Sequence, residues 1–195
     1  LSSLIGVSGC MYAVRRSSYL SLAHDLSSDF VIAAEMELLS LRTVYEPDAV
    51  CYEETNHRPE DEIRMRVRVI EQTITALSRY SELLDPRRHG LFAFQMLSHK
   101  VARYMVPWLL VMAFASNLAV ANSSPALRIT LLVQGGFYAA ALCGLILDRL
   151  GVRHKLLAMP CYFVLANLAA ALGLIKFLKG ESHIVWEPIR EARQE

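Results

Sequence analysis

Asp29 is the residue in this chain best placed to act as a general base. It follows Ser27 and Ser28 and precedes a helix-forming run from Phe30 to Ser40, so it stands at a loop-to-helix junction. Its plainer role there is that of a helix N-cap or the neighbour of one. Arg15, Arg16, Arg64, Arg66 and Arg68 supply cations. Arginine can meet two phosphate oxygens at once, which lysine cannot. One carboxylate within reach of an acceptor hydroxyl, with cations to hold a departing diphosphate, is what an inverting sugar transfer requires. The arginines also suit a simpler reading. At about 100° per residue, Arg64 and Arg68 share one flank of an apolar stripe and Arg66 takes the other, a solvated face with Glu60–Arg64 as an i,i+4 pair.

Those residues need elements to position them. Gly9 to Val14 reads as a turn and a short strand ending at Arg15 and Arg16. The Phe30–Ser40 run is a helix by its Ala, Glu, Met and Leu content. Thr43 to Glu46 is a short strand stopped by Pro47, and Ala49 to Tyr52 another extended piece. Pro59 then opens a helix with Glu60, Asp61 and Glu62 in its first turn, where the macrodipole favours acids. Ile63, Val67, Ile70, Ile74 and Leu77 recur at helical spacing and predict its buried stripe.

The solvent changes after the first hundred residues. Residues 91–104 predict an amphipathic helix, with Phe94, Leu97 and Val101 on one side and His99, Lys100 and Arg103 on the other. Next to apolar sequence, such a helix lies at a membrane interface. Apolar stretches at about 104–122, 126–147 and 157–178 each approach the roughly 20 residues that cross a hydrocarbon core. Tyr104 and Trp108 stand at the first entry. Arg149, Arg153, His154 and Lys155 form a basic loop suited to the cytoplasm. Three crossings from a cytoplasmic start would export a tail carrying Lys176, Lys179, Arg190 and Arg193, against the positive-inside rule. The third stretch, with Pro160, Asn167 and Gly173, is therefore the one to suspect of being re-entrant or interfacial.

Composition narrows the classes. The chain has 195 residues, 54% of them hydrophobic, and a formal net charge of +1, without the basic excess of a nucleic-acid binder. Cys10, Cys51, Cys143 and Cys161 lack metal-binding spacing and read as small hydrophobes in a reducing compartment. The start has no basic region followed by a long apolar core, and it reads as the middle of a fold, so the chain is expected to be the C-terminal fragment of something longer.

The order of several motifs resembles a family. Gly9-Cys10-Met11-Tyr12-Ala13-Val14-Arg15-Arg16, then Ser28-Asp29-Phe30, then Val44-Tyr45-Glu46-Pro47-Asp48-Ala49-Val50 is similar to the C-terminal part of a membrane-anchored family 2 glycosyltransferase of GT-A fold, the group of cellulose, chitin and hyaluronan synthases. Ser98 to Tyr104 followed by Pro107 resembles the interfacial helix of that group, and Trp186-Glu187-Pro188-Ile189-Arg190 its bacterial tail. The resemblance implies Asp29 as catalytic base, with Ser28 in place of the family's preceding acid. It implies Gly9, Tyr12 and Arg15 on the acceptor side, and Arg66 and Arg68 at acceptor or diphosphate. The family's Gln-x-x-Arg-Trp motif falls on Met65 to Val69, where only arginine is kept, which puts processivity in doubt. The chain has no Asp-x-Asp, so Mg²⁺ or Mn²⁺ would be held upstream, with no metal ligand in this segment.

The fold expected is thus α/β: the end of a GT-A domain over 1–85, an interfacial helix over 86–104, membrane helices over 105–178 and a polar tail over 179–195. The expected activity is inverting transfer, at the cytoplasmic face of a multi-pass inner-membrane protein, from a nucleotide-sugar such as a UDP-sugar to a glycan or lipid-linked acceptor. Membrane lipid is an expected partner and nucleic acid is not. A second reading makes the chain a catalytically degenerate or non-enzymatic membrane partner subunit of a glycan synthesis or export system. A transporter half would need an ionisable residue well inside the spans, where the sequence offers only Asn117, Gln134 and Asn167.

Overall fold

The computed structural model describes residues 3–19, 26–52, 59–152 and 154–180. Six α-helices carry the regular structure among them: α1 (Ser28–Leu38), α2 (Pro59–Arg79), α3 (Pro86–Met96), α4 (Ala102–Val120), α5 (Pro125–Arg149) and α6 (Lys155–Leu178). Arg153, Arg190, Arg193, the Trp186–Arg190 motif and the Glu60 side chain lie outside the described residues.

No strand, and so no sheet, occurs among the described residues, which overturns the α/β expectation and with it the GT-A fold. A parallel sheet is stable when both its faces are covered and each strand has a neighbour. Residues 43–46 and 49–52 have neither. Tyr45 is 76% and Tyr52 96% exposed, and Val44 and Val50 are likewise open. Among the described residues the extended segments meet at Ser3 to Thr43, where the Leu4 N–H donates to the Thr43 carbonyl at 3.0 Å and the Thr43 N–H to Ser3 Oγ at 2.8 Å. Two such bonds do not make a ladder. The short β-branched runs signalled strand, but that signal depends on neighbours the described chain does not supply.

The chain divides into two compact units. The first runs to Arg103 and takes in the end of α6 from Gly173. Its core gathers Phe30 to Ala34 and Met36 of α1, Val67, Ile74, Ala76 and Leu77 of α2, Leu83 between helices, and Phe92, Ala93 and Met96 of α3. Local chemistry sets the helix ends. Ser27 precedes α1 in an extended conformation. Beyond Leu38 the chain turns through Ser40 at φ 56°, with the Ser40 and Leu41 N–H groups returning to the carbonyls of Glu37 and Met36. Asp85 caps α3 by accepting from the Arg87 N–H at 2.9 Å, with Pro86 in the first turn. Gly90, at φ 50° and ψ −120°, breaks α3 after that turn. The predicted stripe of α2 is partly kept: Val67, Ile74 and Leu77 are buried, Ile63 and Ile70 half-buried, and Glu71 and Thr73 are buried beside them.

One π-helical turn, Leu97–Val101, joins α3 to α4, making a single helical run Pro86–Ser123. That run, α5 and α6 are each long and apolar enough to cross a membrane, as in a multi-pass membrane protein. α6 is one unbroken helix of 24 residues despite Pro160. At 1.5 Å per residue it measures about 36 Å, more than a roughly 30 Å hydrocarbon core.

The second unit, Tyr104–Leu172, holds its helices together by rings, small residues and amides. Phe114, Tyr138, Phe137 and Phe163 form a chain of edge-to-face contacts with centroids 5.5–6.0 Å apart. Gly144 of α5 leaves room for the Leu157 backbone, which an added Cβ would approach to 3.1 Å.

Candidate functional site

The N-terminus of α1 is the centre of the candidate site. Asp29 lies in the first helical turn, one residue after the helix begins, where its charge complements the dipole. One of its oxygens, Oδ1, accepts the Ser27 hydroxyl and the Phe30 N–H, the latter at 2.9 Å. Its carbonyl accepts from the Val7 N–H at 2.9 Å, which lays the segment around residue 7 across the helix start. Gly9 follows on that segment, and a Cβ there would stand 3.9 Å from Asp29 Oδ2. Gly9 and Asp29 are thus brought together.

Lys100 completes the cluster. It sits in the π turn, half-buried, with its ammonium 5.5 Å from the centre of the Phe30 ring. The negative charge of Asp29 and the positive charge of Arg103 both act on it. Sequence reasoning placed Lys100 on the outer side of an interfacial helix. The π turn changes the helical phase there, and nothing in the local sequence announces such a turn.

The other candidate residues are held by their own local partners or are partly or fully exposed. Tyr12 is half-buried and Arg15 exposed, its carbonyl accepting from the Ser18 N–H at 2.8 Å. Arg66 is held by Glu62 on its own helix at 2.6 Å. Arg68 is half-buried and makes no ion pair among the described residues.

Two further carboxylates bind α1 to its neighbours, and sequence reasoning missed both. Glu35 accepts the Tyr80 hydroxyl. Burial, then the hydrogen bond and charge of Glu35, push that phenol up to about 12, with Arg79 opposing. Glu37 lies 3.6 Å from His89 Nδ1 on α3. Among the described residues no group of three His, Cys, Asp or Glu side chains is arranged to hold a metal ion.

In the membrane unit, Asn117 lies 3.1 Å from the Thr130 hydroxyl and 3.3 Å from Gln134, tying α4 to α5. Asn167 donates to the Phe163 carbonyl at 2.8 Å on its own helix. The polar side chains of the spans therefore satisfy one another or the local backbone.

No family model, curated protein or solved structure matches this chain. The resemblance to family 2 glycosyltransferases is not supported. A GT-A enzyme suspends its base and donor site from the ends of sheet strands, and the described chain contains helices without strands or a metal cluster. Assignment as a glycosyltransferase, and as a hexosyltransferase-like enzyme of polysaccharide synthesis, is corrected accordingly.

Proposed function

We propose that the chain is a non-enzymatic, multi-pass membrane partner subunit, with its first unit as a docking module on the cytoplasmic side. One observation carries the reading: the carboxylate best suited to chemistry is engaged in holding the fold. Asp29 accepts from Ser27 and Phe30, carries the segment leading to Gly9 and shares its surroundings with Lys100. The pairing of Arg66 with Glu62 agrees with a structural role for the basic face of α2. The mutual pairing of Asn117, Thr130 and Gln134 gives no support to a transport path.

The test joins activity to association. The purified full chain should release no nucleoside diphosphate from nucleotide-sugars with Mg²⁺ or Mn²⁺. Crosslinked in its own membrane, it should be recovered with a second membrane protein at fixed stoichiometry, and the Asp29→Asn variant, at matched abundance, should be recovered in the same complex. Diphosphate release that disappears in Asp29→Asn would overturn the reading, as would a chain that stays uncomplexed.

A further inference from the structure

We infer that the outward face of α3 and the π turn is a docking surface for anionic phospholipid headgroups of the leaflet that α4 enters. Two features of the face point to that occupant. The first is its apolar content. Phe92, Ala93 and Met96 turn into the core, whereas Leu91 and Phe94 remain 57% and 63% exposed. Bulky apolar side chains left open on a helix that leads directly into a membrane span match an acyl boundary.

The second feature is charge. From Pro86 to Leu147 the sequence contains no Asp or Glu. Arg87 before Leu91, and His99 and Arg103 after Phe94, are exposed, and neither arginine side chain makes an ion pair among the described residues. Arg88, also exposed, is the one whose charge is met, 3.7 Å from Asp85. Lys100 is turned towards Phe30 and Asp29 and does not belong to the face. A segment with exposed apolar side chains, flanked along the chain by exposed guanidinium groups that make no ion pair among the described residues, complements phosphate over hydrocarbon. It does not complement a basic protein surface or a neutral one.

The test places a reporter on the face. The full chain, with Trp108→Phe and Trp186→Phe, carries Phe94→Trp and is reconstituted into bilayers holding brominated phosphatidylglycerol or brominated phosphatidylcholine at equal mole fraction. Quenching should be stronger with the anionic lipid, corresponding to roughly fivefold enrichment at the site. High salt should abolish the preference, and so should Arg87→Gln with Arg103→Gln. The salt arm needs no charge substitution, and Leu91→Trp repeats the measurement where Phe94→Trp fails to fold. Equal quenching by both lipids would overturn the selectivity. An absence of quenching by either would show that water or protein covers the face, and would leave the subunit reading standing.

Discussion

Tyr80 and Glu35 show how the carboxylates of α1 act as ties between segments. The phenol donates to Glu35, and burial with that carboxylate raises its pKa to about 12 from an ordinary value of about 10. The folded chain therefore favours the neutral phenol. The stability this contributes is present in full below the unfolded value and is lost as pH rises through the folded one, between about 10 and 12. Subtracting the phenolate absorbance titration of Tyr80→Phe from that of the native chain should leave one ionisation near 12. A difference centred near 10 would mean that Glu35 does not hold the phenol. The prominence of Asp29 was legible because serines before an apolar helical run are a local signal. Its neighbour Lys100 was not, because it arrives from the far end of α3 through a π turn. The i,i+4 rule was legible on α2, where Arg66 pairs with Glu62, while the expected Glu60–Arg64 pair involves a side chain outside the described residues.

Gly173 decides how the end of α6 meets α2. A Cβ there would come within 2.7 Å of Ile70 Cγ2 and 3.2 Å of the Val67 carbonyl oxygen. The side chain can rotate away from the first approach, but the backbone oxygen cannot move without moving α2. Gly173→Ala should thus lower stability by about 1–3 kcal/mol, the usual range for overpacking, measured by denaturant unfolding in detergent. Ile70→Ala in the same chain should recover part of that loss, and Gly136→Ala, which meets nothing within 4 Å, serves as the control for the gain in helix propensity, about 1 kcal/mol. A neutral Gly173→Ala would mean that α6 does not pack against α2 there. Helices were legible at this scale because periodicity is a property of each segment alone. Extended segments such as Thr43 to Tyr52 were misread because a strand exists only by pairing, and their exposed valines and tyrosines find no pair among the described residues. The inward face of α3 was also hidden: Phe92, Ala93 and Met96 enter the core, whereas the sequence pattern marked only the apolar side of an interfacial helix, with Phe94, Leu97 and Val101.

The same end of α6 leads to a prediction about membrane topology. Counting three apolar helices as three crossings would leave Lys176 and Lys179 on the side opposite the first unit, where basic residues are disfavoured. The end of α6 from Gly173 instead groups with the first unit, and Gly173 lies against Ile70. An even number of crossings reconciles this packing with the charges, and it keeps Arg103 and Lys179 on one side. Accessibility can decide the matter in a chain whose Cys51, Cys143 and Cys161 are replaced by Ala. Cys10 reports the first unit, and Lys179→Cys, in a chain also lacking Cys10, reports the end of α6. A membrane-impermeant maleimide should label both positions in sealed inverted vesicles and neither in right-side-out ones. Labelling of position 179 from the face opposite to Cys10 would establish an odd number of crossings and would break the contact between Gly173 and Ile70. Labelling of both only from the outer face would keep the parity but reverse the orientation that the basic residues predict.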